Sequence, residues 1–137
     1  MVKQRSNISQ INIGAATQSV LTDQTTTSTT YADLATVGPT VTVTIGSSGQ
    51  ALVSVAAGIY TGSSIKSVGV NITGATTRAP SVGGNTLRKD DAPFTTKSNI
   101  TYIETGLNPG STTFTMKYNV SGGTANFFDR ILSVVPL

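Results

Sequence analysis

The sequence predicts an all-β protein, an antiparallel β-sandwich built from short strands. Charged residues make up only 11% of the 137 residues, against about 25% in ordinary soluble domains. Serine and threonine take much of their place, and the β-branched threonine suits an exposed strand face. Several stretches alternate apolar with polar residues, and glycine and proline separate them. That alternation is the pattern of half-buried strands joined by turns.

The first strands of the body follow from this pattern. A short strand is predicted from Tyr31 to Leu34, before a turn at Gly38-Pro39. Residues 40–45 read TVTVTI, which indicates a strand with one buried and one solvated face. Gly46-Ser47-Ser48-Gly49 is predicted to be a hairpin turn after that strand.

The middle of the chain supplies a central strand and a weakly patterned region. Residues 51–60 are apolar on both faces, which is typical of a strand covered on both sides. In an antiparallel protein the second cover can be another subunit. A further strand is predicted over 68–72, a loop with one short strand over 74–93, and a strand pair over 94–103.

The C-terminal strands have the clearest signals. A tight turn at 106–110 precedes residues 113–120, in which aromatic and aliphatic side chains alternate with polar ones. Gly122-Gly123 marks the next turn, and the apolar run 127–135 predicts a last strand inserted into a sheet.

The chain is expected to divide into an extended N-terminal arm, residues 1–27, and a single β-sandwich domain, residues 28–137. Two interpretations of the arm stay open. It is either a first strand joined to the body by a linker, or a segment that lies on a neighbouring subunit and extends its sheet. The second interpretation predicts that the arm binds a partner through two cations and three apolar residues: Lys3, Arg5, Ile8, Ile11 and Ile13.

Composition excludes most catalytic and metal chemistry. The chain has no cysteine and no histidine, so it lacks thiolate ligands, the usual zinc ligand and the usual general base. Asp90 and Asp91 are adjacent carboxylates, which are expected to lie in a solvated loop beside Arg88 and Lys89, with calcium binding as the alternative. We therefore predict no catalytic, metal or cofactor site, and a protein that is not an enzyme.

The net charge of +3 does not indicate a nucleic-acid site, because the nine cations are dispersed along the chain. A groove for nucleic acid combines clustered cations with aromatic residues. No apolar segment approaches the length of a membrane span, and no secretion signal follows Lys3 and Arg5. Neither a nucleic-acid nor a membrane partner is expected.

Three aromatic residues are predicted to contact another subunit. Phe127 and Phe128 are consecutive in a predicted strand, so their side chains point to opposite faces and one of them points away from the core. Tyr60 ends the strand that is apolar on both faces. Outward aromatic side chains usually mark an interface.

About eight short strands imply a sandwich or a barrel. The turn GLNPG before an aromatic strand is similar to a turn of fibronectin type III domains, but this chain is longer than those domains and has no tryptophan. The sequence favours a jelly roll, of the kind seen in tumour-necrosis-factor-like trimers and viral capsid proteins, over a fibronectin- or immunoglobulin-like sandwich.

Two segments carry a resemblance to a known family. Residues 25–46, TTTSTTYADLATVGPTVTVTIG, and residues 106–137, GLNPGSTTFTMKYNVSGGTANFFDRILSVVPL, resemble small all-β modules of tailed-phage virion proteins. The resemblance is strongest to minor tail and head-surface proteins of phages that infect actinobacteria.

The resemblance implies a structural protein of the virion surface that is made in the host cytoplasm. The modules of this family occur both on heads and on tails, and a separate chain with its own arm and no coiled-coil or collagen-like stalk favours the head. The expected role is a capsid decoration, or cement, protein that binds the major capsid protein and other virion proteins as a homotrimer. The alternative is a tail-tip or tail-fibre adhesin that binds a host surface glycan.

Overall fold

The fold consists of β-strands without a helix in the part of the chain that the structure, a computed structural model, describes. The described residues are 14–60, 64–81, 85–90 and 95–137. The strands are β1 (Ala16–Val20), β2 (Gln24–Thr26), β3 (Thr40–Ile45), β4 (Ala51–Tyr60), β5 (Lys66–Gly74), β6 (Leu87–Lys89), β7 (Thr96–Glu104), β8 (Gly110–Val120) and β9 (Ala125–Pro136).

The strands form two antiparallel sheets, which pack against each other as a sandwich. Sheet one has the order β1-β9-β4-β7, and β2 also pairs with β9. Sheet two has the order β3-β8-β5-β6. Among the described strands, only β5 and β6 are consecutive in the chain and paired with each other. The predicted all-β antiparallel sandwich is thus confirmed.

The core lies between the two sheets and is built from the inward phase of each strand. In β3 the valines and the isoleucine are buried while Thr42 and Thr44 are exposed. The apolar residues of β8 are all fully buried, as their alternation predicts. They are Phe114, Met116, Tyr118 and Val120. Burying side chains of this size contributes about 1.5–3 kcal/mol each to folding.

A buried cation closes one end of the core. Arg130 is 0% exposed. Its guanidinium donates to the backbone oxygen of Gly38 at 3.0 Å and to Gln24 Oε1 at 2.7 Å. It also lies 5.2 Å from the ring centre of Tyr118. Burial raises the pKa of Tyr118 to about 12, although Arg130 acts in the opposite direction. The arginine therefore ties β2 and the loop before β3 to the last strand.

Two predicted connections differ from the structure. The turn at 46–49 is not a hairpin, because β3 pairs with β8 in sheet two while β4 pairs with β7 and β9 in sheet one. The predicted strand pair over 94–103 is one strand, β7, in which Ile100 and Tyr102 face the core. Alternation identifies the buried face of a strand, and it does not identify the neighbouring strand.

The N-terminal boundary also differs. The predicted strand from Tyr31 to Leu34 is a single bridge between Ala32 and Tyr118. Residues 16–26, which were expected in the arm, form β1 and β2 and pair with β9 of the same chain. The boundary at 27/28 is therefore wrong for this segment. Residues 1–13, with all five predicted arm residues, lie outside the described residues.

Candidate subunit interface on the outer face of sheet one

The outer face of sheet one is formed by the side chains that point away from the core. In β4 these are the even-numbered residues, because Ala51, Val53 and Val55 are buried on the inner side. The pairing register aligns the outward residues of β4 from Leu52 to Gly58 with outward residues of β9 and β7, and it aligns Tyr60 with Asn126 of β9. The face is therefore a continuous surface over β9, β4 and β7, with β1 at the edge beside β9.

Exposed apolar side chains concentrate on this face and at its ends. Tyr60 is 58% exposed, Ile103 is 52% exposed and Ile131 is 38% exposed, and all three point outward from sheet one. Leu21, which follows β1, and Leu137, which follows β9, are 64% and 49% exposed. Large exposed apolar surface is costly in water, so this face is a candidate contact surface.

The outer face of sheet two has the opposite character. Its strands carry none of the large exposed apolar side chains of the described residues, since the remaining one, Val37, lies in the loop between β2 and β3. The outward positions of β3, β8 and β5 are hydroxyl, amide or cationic side chains apart from Gly69. They include Thr40, Thr42, Thr44, Ser111, Thr113, Thr115, Lys117, Asn71 and Thr73. The outer face of sheet two thus suits contact with water, whereas the outer face of sheet one suits contact with a partner.

One end of the sheet-one face is an apolar row across three strands. Leu52 of β4 pairs with Val135 of β9 on one side and with Ile103 of β7 on the other. The next row is polar, with Ser54 Oγ 2.8 Å from Thr101 Oγ1. The hydroxyls of this second row satisfy one another within the sheet, so they do not oppose burial of the face against a partner.

A β-bulge shapes the middle of the face. The register between β4 and β9 shifts between Ala56 and Gly58, and Asp129 on β9 has a φ of 43°. Aspartate is among the residues that adopt this left-handed conformation most readily. Lys97 Nζ lies 2.5 Å from Asp129 Oδ2. A depression of about 350 Å³ lies beside the bulge, between Leu21 and Ile131.

Phe128 fills the space over Gly58 on the same face. A Cβ at Gly58 would lie 2.3 Å from Phe128 Cε2, so the glycine is what allows the ring to lie against β4. The exposed Tyr60 lies two residues further along β4. Phe128 and Tyr60 are therefore both on the outer face, as an interface requires.

The predicted interface role of Phe127 is wrong. Phe127 is 0% exposed, and its ring centre lies 4.9 Å from that of Tyr118 in the core. Arg130 follows Phe127 by three residues, and regular alternation would place two residues of odd separation on opposite faces. The bulge explains why both side chains face inward.

Sequence reasoning missed three contributors to the face, Leu21, Ile103 and Ile131. Ile131 has a signal in the sequence, because the run 130–135 places it on the opposite phase from Leu132 and Val134. Ile103 was missed because residues 94–103 were expected to form two strands and not one. The sequence carries no such signal for Leu21, because Leu21 follows the end of β1.

Side chains that could bind a metal ion do not cluster among the described residues. These residues contain no cluster of three or more carboxylate, histidine or cysteine side chains that could bind a metal ion. Arg88 Nε lies 2.9 Å from Asp90 Oδ1, whose side chain is 72% exposed. Asp91 lies outside the described residues. No described helix is long and apolar enough to cross a membrane.

No protein-family model matches the chain, and no curated protein sequence matches it significantly. The function of this chain is therefore inferred from its own residues and from the asymmetry between the two outer faces.

Proposed function

We propose that this protein is a non-enzymatic structural protein of a phage particle, a decoration protein that binds the head surface as a homotrimer. The observation that carries the proposal is the asymmetry of the sandwich. Apolar side chains are exposed on sheet one, while sheet two presents hydroxyl and amide groups. A particle-surface protein needs one face that contacts its copies and one that faces water.

The strand order supports the jelly-roll form of the sandwich. Both β1 and β2 pair with β9, so the nine strands count as eight when these two are taken as one interrupted edge strand. The sheets then read 1-8-3-6 and 2-7-4-5, as in an eight-stranded jelly roll of two Greek keys. An immunoglobulin-like sandwich instead pairs its last two strands with each other, whereas β8 and β9 lie in different sheets.

A second copy of the chain is the proposed occupant of the sheet-one face. The face combines the apolar row of Leu52, Ile103 and Val135 with the outward rings of Phe128 and Tyr60. Its charged pair, Lys97 and Asp129, is already neutralised within the chain. A surface that is apolar and has no unpaired charge suits contact with an apolar surface of another copy better than contact with a charged one.

The N-terminal residues are proposed to attach the trimer to the capsid. Gly14 lies beside Pro136, since a Cβ at Gly14 would be 4.0 Å from Pro136 Cγ. This is the end of sheet one that also carries Leu52 and Val135. An arm that leaves here starts next to the proposed interface. Its three isoleucines, Ile8, Ile11 and Ile13, would gain about 4–9 kcal/mol of transfer free energy on burial, before ordering costs. Lys3 and Arg5 are proposed to meet an acidic patch of the major capsid protein.

The test uses particles of the phage that encodes the chain. Full-length protein and a variant lacking residues 1–13 are mixed with stripped particles, pelleted, and located by gold-labelled electron microscopy. The deletion ends before β1, so both sheets stay intact. We expect the full-length protein on heads and the truncated protein in the supernatant. Label confined to tails would refute decoration and favour the adhesin, and equal binding of both proteins to heads would refute the arm.

A further inference from the structure

A groove crosses the outer face of sheet two, on the opposite side of the molecule from the proposed interface. Its volume is about 570 Å³. Asn71 of β5 and Lys117 and Asn119 of β8 form its floor. Its walls are the segment that contains Thr30 and Tyr31 and the loop that contains Pro80.

The walls are held in place by the backbone and by one glycine. Ala32 N donates to Tyr118 O, and Tyr118 N donates to Ala32 O, each at 2.9 Å. Gly69 pairs with Lys117 in the floor. A Cβ at Gly69 would lie 2.6 Å from Pro80 Cβ and 3.0 Å from Tyr31 Cε1, so both walls meet above this glycine. The fold itself therefore fixes the walls of the groove, and a preformed site lowers the entropic cost of binding.

Two amides in the floor have unused hydrogen-bonding capacity. The side chains of Asn71 and Asn119 make no hydrogen bond to another described residue, and Asn119 is only 8% exposed. Each amide offers two donor hydrogens and an acceptor oxygen. Polar groups this enclosed normally have partners. Together the two amides present donors and acceptors to whatever occupies the groove.

The groove has no net charge. Lys117 is the one charged residue among those that line it, and its Nζ lies 2.6 Å from Asp33 Oδ1. A phosphate or carboxylate ligand would need an unpaired cation. A ligand with many hydroxyl groups and no charge needs what is present, namely amides, hydroxyls and the apolar surfaces of Tyr31 and Pro80.

We infer that this groove binds a neutral saccharide, through Asn71 and Asn119 and against Tyr31. A volume of about 570 Å³ lies within the roughly 300–1,000 Å³ range of small-ligand sites. The site does not depend on the decoration role. It gives the solvent-facing side of the molecule a binding activity, whether the protein sits on a head or on a tail.

The test is a two-dimensional amide NMR titration of the full chain with a panel of probes. The neutral probes are glucose, galactose, mannose, rhamnose, N-acetylglucosamine and their common disaccharides, and the anionic probes are inorganic phosphate and glycerol phosphate. We expect at least one neutral probe to shift the side-chain amide signals of Asn71 and Asn119 in a saturable way, with the anionic probes inactive.

Substitutions separate this site from non-specific binding. Asn71→Ala should weaken binding of the active sugar at least tenfold, while Asn99→Ala, an exposed asparagine on the outer face of sheet one, should leave it unchanged. The NMR spectrum shows whether each variant is folded. Asn119→Asp, which keeps the size of the side chain, is a second substitution in the floor of the groove. The inference is overturned if no neutral probe shifts these signals, if phosphate shifts them equally, or if Asn71→Ala and Asn99→Ala behave alike.

Discussion

The ring of Phe128 lies across the backbone of Gly58 on the neighbouring strand, so that a Cβ at Gly58 would approach Phe128 Cε2 to 2.3 Å. The Gly58→Ala substitution should displace the ring outward, with a loss of about 1–3 kcal/mol in the free energy of unfolding. It should also weaken self-association, because the ring is part of the proposed interface. Chemical denaturation measures the first effect, and sedimentation velocity measures the second.

Gly46→Ala is the matched control for that substitution. Nothing lies within 4 Å of a Cβ at Gly46, and its φ is not positive. Association should therefore be unchanged in this variant. If Gly58→Ala assembles as well as Gly46→Ala does, Phe128 is not part of the contact.

Phe114 tests the assignment of the core. It is 0% exposed and pairs with Val41 and Ile72 on the two neighbouring strands. Phe114→Ala should cost about 3–5 kcal/mol, because it removes contacts and leaves a cavity. Thr113→Ala, one position away on the outer face, should cost far less. A loss below about 1 kcal/mol for Phe114→Ala would show that the inward phase of β8 is misassigned.

Tyr118 makes stability depend on alkaline pH. Burial raises the pKa of this phenol from 10.0 to about 12 in the folded chain, so between these values the unfolded chain loses the proton first. The contribution of Tyr118 is complete below about pH 10, and it declines as the pH rises through 12, by roughly 2–3 kcal/mol in total. Urea denaturation at pH 8, 10 and 11.5 measures this decline. Tyr118→Phe should make the decline shallower, and Tyr102, whose pKa burial also raises to about 12, should account for the remainder. An equally steep decline in that variant would rule out Tyr118 as a cause.

Arg130 is predicted to be essential to the closed end of the core. Arg130→Ala removes the charged donor from the backbone oxygen of Gly38 and from Gln24 Oε1, which keep Tyr118 Oη and Thr36 N as donors. A hydrogen bond to a charged group is worth about 1.5–3 kcal/mol. The melting temperature should therefore fall sharply, and the amides of β2 should be the first to lose their protection from hydrogen exchange. Arg88→Ala, which alters an exposed ion pair, is the control. Equal melting temperatures for the two variants would contradict the structural role of Arg130.

The sequence predicts the strands of this protein better than their pairing. The bounds of β4 and the buried phases of β3 and β8 follow from alternation, because those strands are regular and one face is buried. Strand partners do not follow, since β3 and β4 are joined by only five residues yet lie in different sheets. Such crossings depend on long-range contacts, which no local pattern contains.

The candidate interface was predicted in part for a similar reason. Tyr60 and Phe128 lie on the outer face, but Phe127 does not, because the bulge at Asp129 resets the alternation of β9. A period of two assumes a regular strand, so it could not place Phe127 and Arg130 on the same side. The groove on sheet two was also beyond local pattern, since Tyr31 and Pro80 meet over Gly69 from distant parts of the chain.

The mass of the protein in solution decides whether the outer face of sheet one joins copies of the chain, as we propose. Sedimentation equilibrium should give three times the chain mass of 14.1 kDa for the wild type and for Thr44→Asp, which alters an exposed position of sheet two. Ile103→Asp, which introduces a charge at a 52% exposed position of sheet one, should give the mass of a single folded chain. A monomeric wild type at about 50 μM, or an Ile103→Asp variant that remains trimeric, would contradict the claim.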